Sequence, residues 1–329
     1  MSHLSGDGKR DRRRSLGDLD AEVRARGVNH AREWRPGGFD DTNLKACPEI
    51  RAAVDVLNGK GSDAAKARAA GKLDKFAHEP SKKYALCKAG AIPALVEVIR
   101  SGSHSGKESA CGAVSYLSYN NEDVKSEVVR AGAIGPLVAL LRSGSEGGME
   151  HAAAALRNLS YGYGAEKGHA ATIAAAGAIP PLVDLVRHGS HTAREHAAAA
   201  LGNLAWKDAD CVKVEMAAGA IPALVDLLRD GEGPHAKDYA AAALRNFAMG
   251  DGVGVPEMVD AGAIPLLVDL LTRGSDIGKQ NAAWAIRSVL AQASSARGVD
   301  DPIKARIVAA GAIPPLVELL RDGSDRGKE

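Results

Sequence analysis

The sequence predicts an all-α repeat solenoid, and three observations carry that prediction. A string AGAIP or a close variant recurs with its glycine at Gly90, Gly132, Gly177, Gly219, Gly262 and Gly311, in steps of 42, 45, 42, 43 and 49 residues. Each glycine is followed by apolar residues at i, i+3, i+4 and i+7, for example Ile221, Leu224, Val225 and Leu228, which place one stripe along a helix. Further on in the unit comes an alanine-rich block, AAAALRNLS, AAAALGNLA or AAAALRNFA. A period near 42 excludes ankyrin and tetratricopeptide arrays, whose repeats are about 33 and 34 residues.

Composition points the same way. At 329 residues the chain exceeds what one compact core usually holds, and aromatics at only 4% suit closely spaced helices with small residues between them. Lys plus Arg, 42, nearly balances Asp plus Glu, 41, so no global field draws the chain to nucleic acid or an anionic membrane. No apolar run reaches the length of a membrane span, and Ser2 stands where N-myristoylation requires glycine. Cys47, Cys87, Cys111 and Cys211 have no CxxC spacing and read as reduced thiols. The expected location is cytoplasmic, with a nuclear one open through the basic run Lys9 to Arg14.

In chain order, residues 1–44 lack sustained helical periodicity, are rich in Gly, Asp and Arg, and are expected to be disordered, with room for a short helix over Leu16 to Arg26. Residues 45–80 read as a degenerate unit of two helices that caps the stack. Five full repeats follow over 81–121, 122–164, 165–207, 208–252 and 253–297, and an incomplete unit occupies 298–329.

Each full repeat predicts three helices. The first ends at the glycine, as a left-handed C-terminal cap requires. Proline at Pro93, Pro180, Pro222, Pro265 and Pro314, three residues on, sits in the first turn of the second helix, where its missing N–H costs nothing. An RxGS-type turn then leads to the third helix, and Ser105 to Glu108 and Thr192 to Glu195 fit the spacing of a capping box. The final unit stops after Ile313, Leu316, Val317 and Leu320, at the point where a third helix begins elsewhere, so its apolar end is left for a continuing chain or a partner.

The period, the three helices, the glycine between the first two and the asparagine in the third resemble the armadillo repeat family over residues 48–329. The GAIPxLVxLL block with its later ALxNL block separates it from HEAT repeats of similar period. The resemblance implies a right-handed α-α superhelix whose third helices line a concave groove. It also implies that Asn158, Asn203 and Asn246 bond the main chain of an extended guest. A primary amide offers donor and acceptor together, matching an extended backbone whatever its sequence. The other reading of this row is that each asparagine braces a neighbouring repeat.

Importin-alpha-type receptors carry Trp four residues before that asparagine. Here only Trp284 conforms, and its repeat has Ser288 in the asparagine row. A second set of anchors is available: Tyr116 in the row itself, Tyr119, Tyr161 and Trp206 three residues beyond it, and His151, His196 and Tyr239 seven residues before it. Glu108, Glu150, Glu195 and Asp238 form an acidic row near the start of four third helices, which serves either the helix N-termini or a basic partner segment.

Signals for chemistry are weak. GSHSGKE, GSDIGKQ and GSDRGKE lack the spacing and the Ser or Thr of a phosphate loop and recur in register, as an interhelical turn would. His188, His191 and His196 match no zinc pattern. The expected function is therefore a non-catalytic scaffold without cofactor, binding a protein or peptide segment in the groove, with oligomeric state open. The alternatives are the substrate-recognition part of a ubiquitin ligase, as in plant-type U-box proteins with armadillo repeats, and a nuclear transport adaptor.

Overall fold

The structure is a computed structural model that describes residues 47–162, 169–206, 209–233, 235–249, 252–295 and 302–322. The tail 1–44 with its basic run, and the final segment 323–329, lie outside the described residues. Every regular element among the described residues is an α-helix.

The N-terminal pair is α1 (Pro48–Asn58) and α2 (Asp63–Ala77). The first triplet is α3 (Pro80–Lys88), α4 (Ala91–Ser101) and α5 (His104–Ser118); the second is α6 (Glu122–Arg130), α7 (Ile134–Ser143) and α8 (Glu146–Ser160). The third comprises α9 (Ala170–Ala175), α10 (Ile179–His188) and α11 (His191–Leu204), and the fourth α12 (Ala209–Ala217), α13 (Ala220–Asp230) and α14 (Ala236–Ala248). The fifth is α15 (Val255–Asp260), α16 (Ala263–Arg273) and α17 (Asp276–Ser295), after which α18 (Pro302–Ala309) and α19 (Ile313–Asp322) close the described chain.

The glycine joints work through their backbone angle. Gly132, at φ 77°, donates to Val129 O while Ala133 N donates to Val128 O, the paired bonds that finish a helix around a left-handed residue. A Cβ placed on Gly90 or Gly262 would meet nothing within 4 Å, so the dihedral and not the space demands glycine there. The joint turns the chain straight into the second helix. Its stripe forms the core: Ile221, Leu224, Val225 and Leu228 are all buried in α13, each such side chain stabilising by about 1.5–3 kcal/mol.

The third helices stack on one another from α2 through α5, α8, α11 and α14 to α17, forming one continuous wall with the second helices packed behind it. Small residues permit the close approach. On Gly202 of α11 a Cβ would lie 3.0 Å from the Ala243 Cα of α14, and on Gly112 of α5 it would lie 2.7 Å from the Asp74 carboxylate of α2.

The N-caps fall two residues before the predicted ones and form no capping box, since Gly106 and Ala193 stand where its Glu or Gln would be. The cap of α5 is Ser103, accepting from Gly106 N at 3.3 Å, and that of α11 is Ser190, accepting from Ala193 N at 3.2 Å. Ser105 and Thr192 already lie inside their helices, so their hydroxyls cannot reach the free first-turn amides. Ser145 and Ser275 repeat the Ser103 arrangement, which makes the GS of GSHSGKE and GSDIGKQ a turn and cap.

Candidate peptide-binding wall

Three rows on the third helices hold successive repeats together, and they decide what is left for a partner. The acidic row points forward along the stack. Ser145 Oγ donates to Glu108 at 2.8 Å, Ser190 Oγ to Glu150 at 3.2 Å, His235 N to Glu195 at 3.1 Å and Ser275 Oγ to Asp238 at 2.8 Å. Each carboxylate thus serves the first turn of the next third helix, where the helix dipole also favours negative charge. Gly147 leaves room for it: a Cβ there would sit 2.6 Å from Glu108 Oε1. Burial raises the Glu195 pKa, an effect opposed by the hydrogen bond from the His235 amide.

The asparagine row points backward. Nδ2 of Asn158 donates to Ser115 O at 2.9 Å, that of Asn203 to Arg157 O at 3.0 Å and that of Asn246 to Gly202 O at 2.7 Å. Asn158 and Asn246 are buried and Asn203 half-buried. Of the two roles open to this row, the geometry matches the brace. Arginine completes it: Arg157 and Arg245, each one residue before its asparagine, donate from Nε to the Oδ1 of Asn158 and Asn246 at 3.3 and 3.1 Å. Both arginines then reach on to the next repeat, Arg157 to His196 Nδ1 at 3.4 Å and Arg245 to Asn281 Oδ1 at 3.1 Å.

The remaining predicted residues divide by exposure. Tyr116 is buried with its ring against His78, centroids 3.5 Å apart, and His196 is buried beside Arg157. Desolvation, then the Arg157 charge, then His151 hold the His196 pKa well below its ordinary value, so its ring is neutral. His151, Tyr239, Tyr119 and Trp284 are half-buried, and Tyr239 sets its ring 6.0 Å edge-on from His235. Tyr161 and Trp206 are exposed large aromatics at the ends of α8 and α11.

Two features escaped the reading of the sequence. Lys83 and Lys125, in the first helices of two repeats, donate to the carbonyls of Tyr116 and Tyr161 at 2.9 and 2.6 Å, tying the end of each third helix to its own repeat. The other is the arginine beside each bracing asparagine, legible afterwards as the RN of AAAALRN. Burial also raises Cys87 to about 12 and Cys111 further, which leaves both protonated at neutral pH. No described helix is long and apolar enough to cross a membrane.

The model of the Armadillo/beta-catenin-like repeat matches residues 80–119, 121–161, 167–206 and 254–291. The intervening unit, α12 to α14, has the same helix order and the same asparagine bond. No curated protein sequence matches the chain. Among solved structures, a designed armadillo repeat protein is 28% identical at TM-score 0.66, covering 73% of this chain and 99% of that one. Another, computationally designed for modular peptide recognition, is 29% identical at TM-score 0.65, covering 73% and 99%. A third, solved in complex with the peptide (KR)4, is 27% identical at TM-score 0.61, covering 72% and 95%. With the glycine joints, the stacked third helices and these matches together, the chain belongs to the armadillo repeat family.

Proposed function

We propose that this protein is a non-catalytic interaction scaffold that holds a segment of another protein, extended or helical, along the concave side of its third-helix wall. The observation that carries the reading is the pair of exposed aromatics, Tyr161 and Trp206, standing at equivalent positions of two successive repeats on a surface whose other polar groups are largely occupied. Large aromatics left exposed in register serve as binding anchors more readily than as surface filler. The peptide complex of a designed relative supports the same use of the fold.

In this reading Tyr161, Trp206, Trp284, Tyr119 and Tyr239 contact the partner. Asn158, Asn203 and Asn246 hold the wall in shape, and a guest backbone gains their amides only by competing with the preceding repeat. Tyr116, His151 and His196 support the wall from within it. The substrate-recognition part of a ubiquitin ligase and a transport adaptor are both special cases of this scaffold.

The test is to pan a displayed library of random 12-residue peptides against the full chain and measure enriched clones on Tyr161→Ala/Trp206→Ala. Loss of two aromatic anchors should weaken binding roughly 30-fold with unchanged circular dichroism. Failure to enrich any peptide, or clones indifferent to both substitutions, would refute the assignment.

A further inference from the structure

We infer that the first helical pair carries a second interaction surface, separate from the groove: the outward face of α2 binds an acidic helix of a partner protein. Along α2 the buried residues Ala69, Ala70, Leu73 and Ala77 turn one side to the stack. On the opposite side stand Arg68, Lys72 and Lys75, all exposed and spaced i, i+4 and i+7, so three cations line one stripe on successive turns. Among the described residues none of the three enters an ion pair or a hydrogen bond. The later repeats show what this face meets elsewhere. The equivalents of Lys72 are Ala113, Ala155, Ala200, Ala243 and Ala285, all buried, and Ala243 packs on Gly202 of the preceding third helix. Lys75 stands in the row of Asn158, Asn203 and Asn246, which bond back to the preceding repeat. Arg68 stands in the row of His196 and Asn281, which meet Arg157 and Arg245 from it. At α2 no third helix precedes among the described residues, and all three backward-facing positions are cations.

A polar cap for the stack does not by itself account for this stripe. Like charges one turn apart destabilise a helix, and glutamine or mixed charge would shield the end of a solenoid as well. Lys75, in the last turn, is favoured by the helix dipole, whereas Arg68 and Lys72 in mid-helix are not. The acids nearby supply no counter-charge. Asp74 turns toward α5, where a Cβ on Gly112 would lie 2.7 Å from its carboxylate, and Glu79 pairs with Lys82 at 2.9 Å. Asp63 stands in the first turn of α2, and among the described residues neither it nor Glu49 and Asp55 of α1 lies within ion-pair distance of the three cations. Lys60 and Lys66 add further positive charge at the same end.

Carboxylates on one face of a helix match this stripe. Arg68 to Lys75 spans about 10 Å of helix, and glutamates at i, i+4 and i+7 of a partner helix cover the same length. A helix suits the place, since in each later repeat this face is covered by one, α5 by α2, α8 by α5 and so on to α17 by α14. A nucleic acid fits less well. Base stacking needs an open ring, and the rings nearby are engaged: Phe76 by Lys82 at 4.2 Å, Tyr84 by Lys88 at 5.6 Å and His78 by Tyr116.

The test measures fluorescence polarisation of four labelled probes with the full chain at low salt. They are a sixteen-residue alanine-based helix with glutamates spaced four, three and four apart, the same helix with glutamine for glutamate, one with the same number of glutamates distributed around its circumference, and ten-residue oligothymidylate. The first should bind at least tenfold tighter than the other three and weaken as salt is raised. Arg68→Gln/Lys72→Gln/Lys75→Gln, at exposed positions that leave the circular dichroism unchanged, should remove that advantage. Tyr161→Ala/Trp206→Ala should not, which separates this surface from the groove and lets either assignment fail alone. Silence from every probe, equal binding of the glutamine helix, or an affinity that the triple variant keeps overturns the inference. Equal binding of the scattered glutamates overturns the one-faced helix as occupant, and equal binding of oligothymidylate through the same cations overturns a protein partner. If the chain alone sediments as a dimer that the triple variant dissociates, the occupant is a second copy and the inference falls as well.

Discussion

Helices α16 and α19 carry almost the same second-helix sequence, AIPLLVDLL against AIPPLVELL, and meet opposite fates. In α16, Val268 is 7% exposed and Leu271 2%; the matching Val317 and Leu320 of α19 are 48% and 60% exposed. The stripe is identical in period, and the difference is the neighbour. α17 covers α16, whereas no described helix follows α19. In a solenoid the burial of a helix is a property of the next element and not of its own residues, so stability is a sum over interfaces.

The sharpest way to break the symmetry is a charge. Val268→Lys places an ammonium on the buried stripe of α16, which packs against α17, and should cost upward of about 3 kcal/mol. Val317→Lys, on the uncovered stripe, should stay within about 0.5 kcal/mol. Urea melts followed by far-ultraviolet circular dichroism compare the two. Equal losses would mean that α19 is covered in solution by something beyond the described chain.

The covered and uncovered stripes also mark where the sequence was readable. Glycine joints, proline positions and the i, i+3, i+4 stripe are local signals, so helix order and period followed from them directly. What the asparagine row does was not local: its acceptors, Ser115 O, Arg157 O and Gly202 O, lie 43 to 46 residues away on another helix. The same holds for the acidic row, whose partners are the caps of the following repeat. A residue in a repeat has two sets of neighbours, its own unit and the next, and the letters alone do not say which it serves. The expected capping boxes are absent for the same reason, because Glu108 and Glu195 reach forward to the next repeat and not back to their own first turn.

A smaller contrast separates histidines of α11. His191 is exposed at the start of the helix, whereas His196 is buried against Arg157. Because the folded-state pKa of His196 is depressed, the unfolded chain binds the proton more readily. Stability is then unaffected above the unfolded value, about 6.5, and falls as pH drops below it. Thermal melts at pH 7 and 5 should show a decrease that His196→Gln reduces, since glutamine can still accept from Arg157 and does not titrate. An unchanged pH dependence in the His196 variant would place the acid sensitivity elsewhere.

The smallest effect tests whether the joints, unlike the stripes, are independent of the neighbour. Gly262 before α16 and Gly311 before α19 share φ 79°, and a Cβ on either meets nothing within 4 Å. Alanine in that left-handed conformation costs roughly 1–2 kcal/mol through its own backbone alone. Gly262→Ala and Gly311→Ala should therefore strain their joints equally, yet report differently. At Gly262 the cost falls on a helix locked between two interfaces and lowers the urea midpoint. At Gly311 it falls on the last described pair, α18 and α19, and should appear as faster amide exchange confined to those helices while the midpoint holds. Equal shifts in the midpoint would show that the final pair unfolds with the rest, and that its exposed stripe does not loosen its attachment to the stack.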